Sequence, residues 1–224
     1  MKLKLPENLQ KIKVFCDFDG TVAANDVGNQ LFRTFADGRC KEYVNLWKAG
    51  KISSKECLLR ECALTQVTRA QLEEFVATQN LDPYFKKFMQ FCQHRGIGVE
   101  IVSDGLDFYI ERILKNHGLD SSLHFVSNRL IFLGPDRITA QFPYYEKGCG
   151  HCGNCKGYHV QKAKKQGYFV IYVGDGFSDR CGARLADVVF AKRELQKFCQ
   201  ENHLAHFSFQ NFGEVLEIIS DSIA

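Results

Sequence analysis

Val14-Phe15-Cys16-Asp17-Phe18-Asp19-Gly20-Thr21-Val22 is an apolar run that meets two carboxylates one residue apart and then a glycine. Side chains on an extended segment alternate between faces, so residues i and i+2 share one. The spacing therefore predicts Asp17 and Asp19 side by side at the carboxyl end of a strand. Two like charges in one place need a cation. A hard divalent ion such as Mg²⁺ meets that need and leaves one carboxylate oxygen free to attack an electrophile. Asp-Gly alone is also ordinary turn chemistry, and by itself the stretch would mean only a solvated turn. The rest of the chain argues against that reading. A second apolar run, Tyr168 to Val173, leads into Gly174-Asp175-Gly176-Phe177-Ser178-Asp179, with two more carboxylates. A third, Val99 to Val102, ends at Ser103, and Lys156 stands just ahead of a helical stretch from Tyr158 to Lys165.

These runs set the fold class. Val14 to Asp17 is apolar on both faces, as a central strand should be. Further short strands are expected at Phe125 to Phe132 and Ile138 to Phe142, paired as a hairpin around Gly134-Pro135-Asp136, and at Val188 to Ala191 and His206 to Phe209. Amphipathic helices are expected from Asp82 to Arg95, Leu106 to His117, Asp179 to Ala186 with Ser178 as its cap, Glu194 to Glu201 and Phe212 to Ser220. Apolar strands alternating with helices predict an α/β, doubly wound, mostly parallel sheet with its sites beyond the carboxyl ends of the strands. From about Asp26 to Asn80 the pattern is helical throughout. This predicts a small helical cap inserted after the first strand, with residues 1–24 and 82–224 as the core domain and 25–81 as the cap.

Composition narrows the function classes. Of 224 residues, 45% are hydrophobic and 25% charged, which suits a globule with a sizeable core. The net charge of +3 is spread among interspersed acids and bases, with no basic stripe for nucleic acid, while an anionic small molecule fits. The start lacks a continuous apolar leader and no stretch is apolar enough to cross a membrane, so a cytoplasmic protein without membrane partners is expected. Most of the ten cysteines are scattered through apolar contexts, such as Phe15-Cys16, Phe91-Cys92 and Phe198-Cys199, and read as reduced core thiols.

Two further stretches carry candidate chemistry. Ser103-Asp104-Gly105 would deliver a hydroxyl and the first backbone N–H groups of a helix to the same edge as Asp17, where a phosphate would fit. Ser103 could equally be only the helix cap. Cys149-Gly150-His151-Cys152-Gly153-Asn154-Cys155 places three cysteines at regular spacing on a glycine-rich loop, with His151 inside it and His159 beyond. Three thiolates plus one imidazole, or a fourth cysteine, would complete a structural zinc site; a disulfide or three free thiols are the alternatives.

The ordered set of Asp17-x-Asp19-Gly20-Thr21, Ser103, Lys156 and Gly174-Asp175-Gly176-x-Ser178-Asp179 resembles the haloacid dehalogenase superfamily of aspartyl-phosphate phosphatases, over nearly the whole chain. The position of the insert resembles the phosphoserine-phosphatase branch. Ser103-Asp104-Gly105 departs from that branch's usual Ser-Gly-Gly. It looks more like the neighbouring group that includes 2-hydroxy-3-keto-5-methylthiopentenyl-1-phosphate phosphatase, which has a similar cysteine-rich run before its lysine. The resemblance implies Asp17 as nucleophile and Asp19 as acid and then base. It implies Mg²⁺ bound by Asp17, the Asp19 carbonyl and Asp175, supported by Asp179, with Ser103 and Lys156 on the phosphoryl oxygens. It also implies a small phosphorylated metabolite as substrate, phosphoserine or a methylthio-ketose phosphate, met by Asp26 and Arg60 from the cap. A phosphotransferase or mutase sharing the nucleophile, and a non-catalytic binding protein on this fold, are the rival readings.

Overall fold

The computed structural model describes residues 3–119 and 123–223; the expected core segments also include residues 1–2, 120–122 and 224, which lie outside the described residues. The chain begins with strand β1 (Ile12–Cys16), followed by four helices, α1 (Val27–Phe35), α2 (Cys40–Lys48), α3 (Ser54–Ala63) and α4 (Arg69–Ala77). Then come α5 (Phe85–His94), β2 (Gly98–Leu106), α6 (Asp107–Asn116) and the hairpin of β3 (His124–Phe132) and β4 (Ile138–Gln141). The remainder is α7 (Lys156–Lys165), β5 (Phe169–Gly174), α8 (Arg180–Ala183), β6 (Val188–Ala191), α9 (Arg193–Glu201), β7 (Phe207–Ser208) and α10 (Phe212–Asp221).

The seven strands form one sheet in the order β4-β3-β2-β1-β5-β6-β7, with only β4 antiparallel to its neighbour. β1 lies at its centre, paired with β2 on one side and β5 on the other. The chain therefore winds outward in both directions from β1, and the crevice at that reversal is where doubly wound sheets hold ligands. Alternation builds two cores. Ile12, Val14 and Cys16, with Ile171 and Val173, face a layer containing Phe85, Phe88, Ile110, Phe212 and Ile219. Phe15, Val170 and Tyr172 face Val160, Ala163, Ala183, Leu195 and Phe198 on the other side. Among the described residues no helix is long and apolar enough to cross a membrane.

Three of the four helices after β1 start at side-chain caps, all but α2: Asp26 accepts from Asn29 N–H, Ser53 from Glu56 N–H, and Thr68 and Gln71 form a reciprocal capping box. Their apolar faces, through Val27, Leu31, Leu58, Cys62, Leu72 and Val76, join the first core layer. The segment between α3 and α4 also joins the hairpin: Gln66 bridges Arg137, and Val67 N–H donates to Asp136 O.

Two expectations need correction. The strand leading to Ser103 does not stop there: β2 runs on to Leu106 with a register shift between Val102 and Leu106, and α6 starts only at Asp107. Ser103 Oγ accepts from Gly105 N–H, closing a local turn within the strand instead of capping a helix. The helix expected from Asp179 to Ala186 is a 3₁₀ turn at Phe177–Asp179 followed by the short α8. Asp179, not Ser178, satisfies the loop, accepting from the N–H groups of Asp175 and Gly176.

Candidate active site

β1 ends one residue before Asp17, whose N–H donates to Val173 O and so locks the start of the active loop to β5. The chain then turns tightly over Phe18–Val22. Gly20 makes this possible: its φ is +73°, and a Cβ there would stand 2.6 Å from Asp175 Oδ2. The turn ends the extended geometry that would have set Asp17 and Asp19 in one row, and the two carboxyl groups have different partners.

Asp17 Oδ1 accepts from Lys156 Nζ at 2.6 Å. The same ammonium donates to Ser178 Oγ at 2.8 Å and to Asp179 Oδ1, so its three protons are all used. Lys156 is only 1% exposed. Burial opposes its charge, but the carboxylates of Asp17 and Asp179 outweigh that penalty and hold it protonated far above the ordinary lysine range. Asp179 is also spoken for by the Tyr172 hydroxyl on Oδ1 and two backbone N–H groups on Oδ2. Asp175 takes Arg193 on Oδ2 at 3.0 Å.

Asp17, Asp175 and Asp179 each place a carboxylate oxygen within 4.8 Å of the others. Burial and the neighbouring Asp179 push Asp17 above the ordinary carboxylate range, with Lys156 countering, and the same two causes raise Asp175 to about 6. Three buried acids against Lys156 and the half-exposed Arg193 leave negative charge to be neutralised, and an all-oxygen donor set suits a hard divalent cation.

Asp19 has a separate setting. Its Oδ2 accepts from the Tyr109 hydroxyl at 2.7 Å and lies 3.5 Å from Ser103 Oγ, and its Oδ1 accepts from Gly28 N–H at 3.0 Å. Burial, reinforced by the charge of Asp26, raises its carboxyl to about 7, against the lowering effect of the Tyr109 and Gly28 hydrogen bonds. Asp17, Asp19, Asp175 and Ser103 open into a cleft of about 370 Å³ between the sheet edge and α1–α3. Its far wall includes the apolar Phe32, Val44, Trp47 and Leu58 beside Lys48 and Glu61, with Trp47 edge-on to Phe177 at 5.1 Å.

The structure brings Asp17, Asp19, Asp26, Ser103, Asp104, Gly105 and Asp175 to this cleft, with Lys156 and Asp179 buried behind Asp17. Asp104 is bound on every side: Oδ2 accepts from Ser54 Oγ at 2.6 Å, and Oδ1 from Asn154 N–H at 2.7 Å and Asn128 Nδ2 at 3.0 Å. It ties α3 and the cysteine loop to β2. Arg60 is not brought to the cleft. Its guanidinium pairs with Glu56 one helical turn back and lies 5.1 Å over the Tyr43 ring. The four thiols of Cys149, Cys152, Cys155 and Cys181 cluster, whereas His159 is held by Asn154 and neither histidine belongs to the group.

Sequence reasoning missed Tyr109, Ser54, Glu61, Lys48, Arg193 and Cys181. Tyr109 carried a signal, because a polar-tipped ring in the wholly apolar stretch Phe108 to Ile110 needs a buried partner. Cys181 carried none, because its charged neighbour Arg180 does not set it apart from the buried Cys40 and Cys62, which also sit beside charged residues. Lys48 pairs with Glu194 across 146 residues, and Arg193 reaches Asp175 from the start of α9 with φ +48°. Nothing local in the sequence marks either contact.

A doubly wound sheet carrying paired aspartates after its central strand, a buried lysine and a second acidic loop defines a phosphatase of the haloacid dehalogenase superfamily, in its phosphoserine-phosphatase-like branch. Within it, the chain belongs to the family described as putative phosphatase, whose model matches residues 12–213, and it is a phosphoric monoester hydrolase. A Bacillus cereus (strain B4264) protein named 2-hydroxy-3-keto-5-methylthiopentenyl-1-phosphate phosphatase is 32% identical over 213 residues, covering 91% of this chain and 94% of its own. A protein of the same name from Bacillus thuringiensis (strain Al Hakam) is 30% identical over 208 residues with the same coverage. The fold is shared with a phospho-aspartyl intermediate analogue of phosphoserine phosphatase, at TM-score 0.71 and 20% identity over 92% of this chain and 97% of that one. A substrate-bound phosphoserine phosphatase also has TM-score 0.71 and 20% identity, over 97% and 99%.

Proposed function

We propose that the chain hydrolyses a small, partly apolar phosphate monoester in two steps through Asp17. The observation that carries this reading is the buried Asp17, held by Lys156 and flanked by Asp175 and Asp179 at the floor of an apolar-walled cleft. In the first step an Asp17 oxygen bonds to phosphorus, the ester P–O bond breaks, and the proton of Asp19 passes to the departing alkoxide. In the second, Asp19 takes a proton from water, whose oxygen bonds to phosphorus as the bond to Asp17 breaks, releasing phosphate. Lys156 orients the nucleophile and offsets phosphoryl charge, and Ser103 offers a hydroxyl beside Asp19. Mg²⁺, held by Asp17, the Asp19 carbonyl and Asp175 with Asp179 behind them, would supply the remaining charge neutralisation.

Residues 25–81 act as the cap over a core of 1–24 and 82–224, excluding water from the reacting group. The cap also bears on substrate choice. Arg60, the expected partner of a phosphoserine carboxylate, pairs with Glu56, and Lys48 at the cleft wall is neutralised by Glu194. Phe32, Val44, Trp47 and Leu58 instead offer an apolar surface to the leaving group. An ester with an apolar tail, such as the methylthio-ketose phosphate in the names of the curated relatives, fits this wall better than phosphoserine. Phosphate release from a panel containing the methylthio-ketose phosphate, its analogue lacking the methylthio group, and phosphoserine tests the reading. The first should exceed the second by at least about tenfold in kcat/KM, without a bisphosphate activator. A preference for phosphoserine, or a requirement for an activator, would overturn it.

A further inference from the structure

The cysteine loop before α7 meets a partner from a distant part of the chain. Cys149, Cys152 and Cys155 stand on the loop, and Cys181 lies in α8, beyond the 174–179 acidic segment. Each of the four Sγ atoms lies within 4.8 Å of every other, and none is in a disulfide. A zinc ion bonded to four thiolates at about 2.3 Å requires sulfurs about 3.8 Å apart, so a small contraction would close the group into a tetrahedron.

Burial of thiols as small hydrophobes accounts for Cys152 and Cys155, but not for the exposed Cys149 and the partly exposed Cys181, which converge on the same point. The backbone is shaped for close approach as well. A Cβ at Gly148 would stand 2.5 Å from Cys155 Cβ, one at Gly157 would stand 3.0 Å from Cys181 O, and Gly150 has φ +75°. The Cys152 N–H points at Cys149 Sγ across 3.4 Å, a donor suited to a charged sulfur. His159, bonded through Nε2 to Asn154 Oδ1, has neither ring nitrogen in the group, and no cleft-lining residue belongs to it.

We propose that Cys149, Cys152, Cys155 and Cys181 form a closed, four-thiolate structural zinc site. Its place in the fold gives it a purpose. Cys155 immediately precedes Lys156, and Cys181 follows Asp179 by two residues, so the ion bridges the two segments that carry the Lys156–Asp179 ion pair. With four protein ligands it has no open position for substrate, and its effect on the reaction is through the placement of Lys156.

Protein produced without an affinity tag and without added metal should contain about one zinc per chain by elemental analysis. Cobalt-exchanged protein should show the intense visible bands and sulfur-to-metal charge transfer of a tetrahedral four-thiolate centre. Cys181→Ser should weaken zinc binding by at least the ~10–100-fold that loss of an outer partner costs, whereas His151→Ala should leave it unchanged. Absence of zinc, with all ten cysteines free or two fewer titrating, would overturn the proposal. So would stoichiometric iron, or a cobalt spectrum of three thiolates and an imidazole. The cobalt spectrum of the wild-type protein decides the matter even if Cys181→Ser fails to fold. No readout uses phosphatase activity, so this inference stands or falls apart from the proposed reaction.

Discussion

Tyr109→Phe removes one atom from the site, the hydroxyl that donates to Asp19 Oδ2 at 2.7 Å. The ring itself stays packed, 6.0 Å from the Phe18 ring, and Gly28 N–H still serves the other carboxylate oxygen. That hydroxyl stabilises the ionised form of Asp19 and lowers its pKa. A hydrogen bond to a charged group is worth about 1.5–3 kcal/mol, and one pK unit corresponds to about 1.36 kcal/mol. Without it the Asp19 carboxyl should therefore lose its proton about one to two pH units higher. If Asp19 is the acid that protonates the leaving group, the alkaline limb of kcat/KM, where that proton is lost, should move up by the same interval. The assay is the pH dependence of phosphate release by both proteins, with folding checked by circular dichroism. A folded variant whose alkaline limb stays in place, or moves to lower pH, would refute the link between Tyr109, Asp19 and proton transfer.

Other substitutions probe the surroundings of the cleft. Burial, with Asp26 adding to it, raises Glu61 from 4.5 to about 7. The folded state then keeps a proton that the unfolded chain releases, so this group costs nothing below about pH 4.5 and up to about 3 kcal/mol above pH 7. Glu61→Gln should thus match wild type in chemical unfolding near pH 4.5 and be more stable at pH 8; equal stability at both would contradict the assigned cause. Arg60→Ala should leave kcat/KM within about twofold and cost only the roughly 0.3–0.5 kcal/mol of an exposed i,i+4 pair, whereas a large rise in KM would place Arg60 on the substrate. Asp19→Asn should slow turnover by about 10²–10⁴-fold while Mg²⁺ affinity, measured by calorimetry, holds through the unchanged backbone carbonyl; loss of metal binding would contradict its role.

The strands and the acidic loops were legible because they are local: an apolar run with a period of two, a turn glycine and a carboxylate at a fixed offset survive in one dimension. Asp17, Ser103 and Asp175 could be placed at one edge for that reason. Where the reading of Ser103 went astray, the competing element was a strand irregularity, since a register shift carries β2 through Asp104 and Gly105 to Leu106. Helix phase was the second limit. Arg60 follows Asp26 in a helical stretch, but which side it presents depends on α3 docking through Ser54 onto Asp104 and Gly153, a contact spanning 50 and 99 residues. Cys181 joins the loop cysteines only because α8 packs on α7 beside Gly157. Such contacts depend on the closed fold, and one sequence records only their ends.

Trapping the covalent intermediate tests the central claim most directly. Protein mixed with substrate and Mg²⁺, quenched during turnover and reduced with borohydride, should yield homoserine in place of Asp17 alone, identified by peptide mass spectrometry. Reduction at Asp19 or Asp175, or turnover with no trapped residue at all in a quench fast enough to capture the first cycle, would contradict the two-step reaction through Asp17.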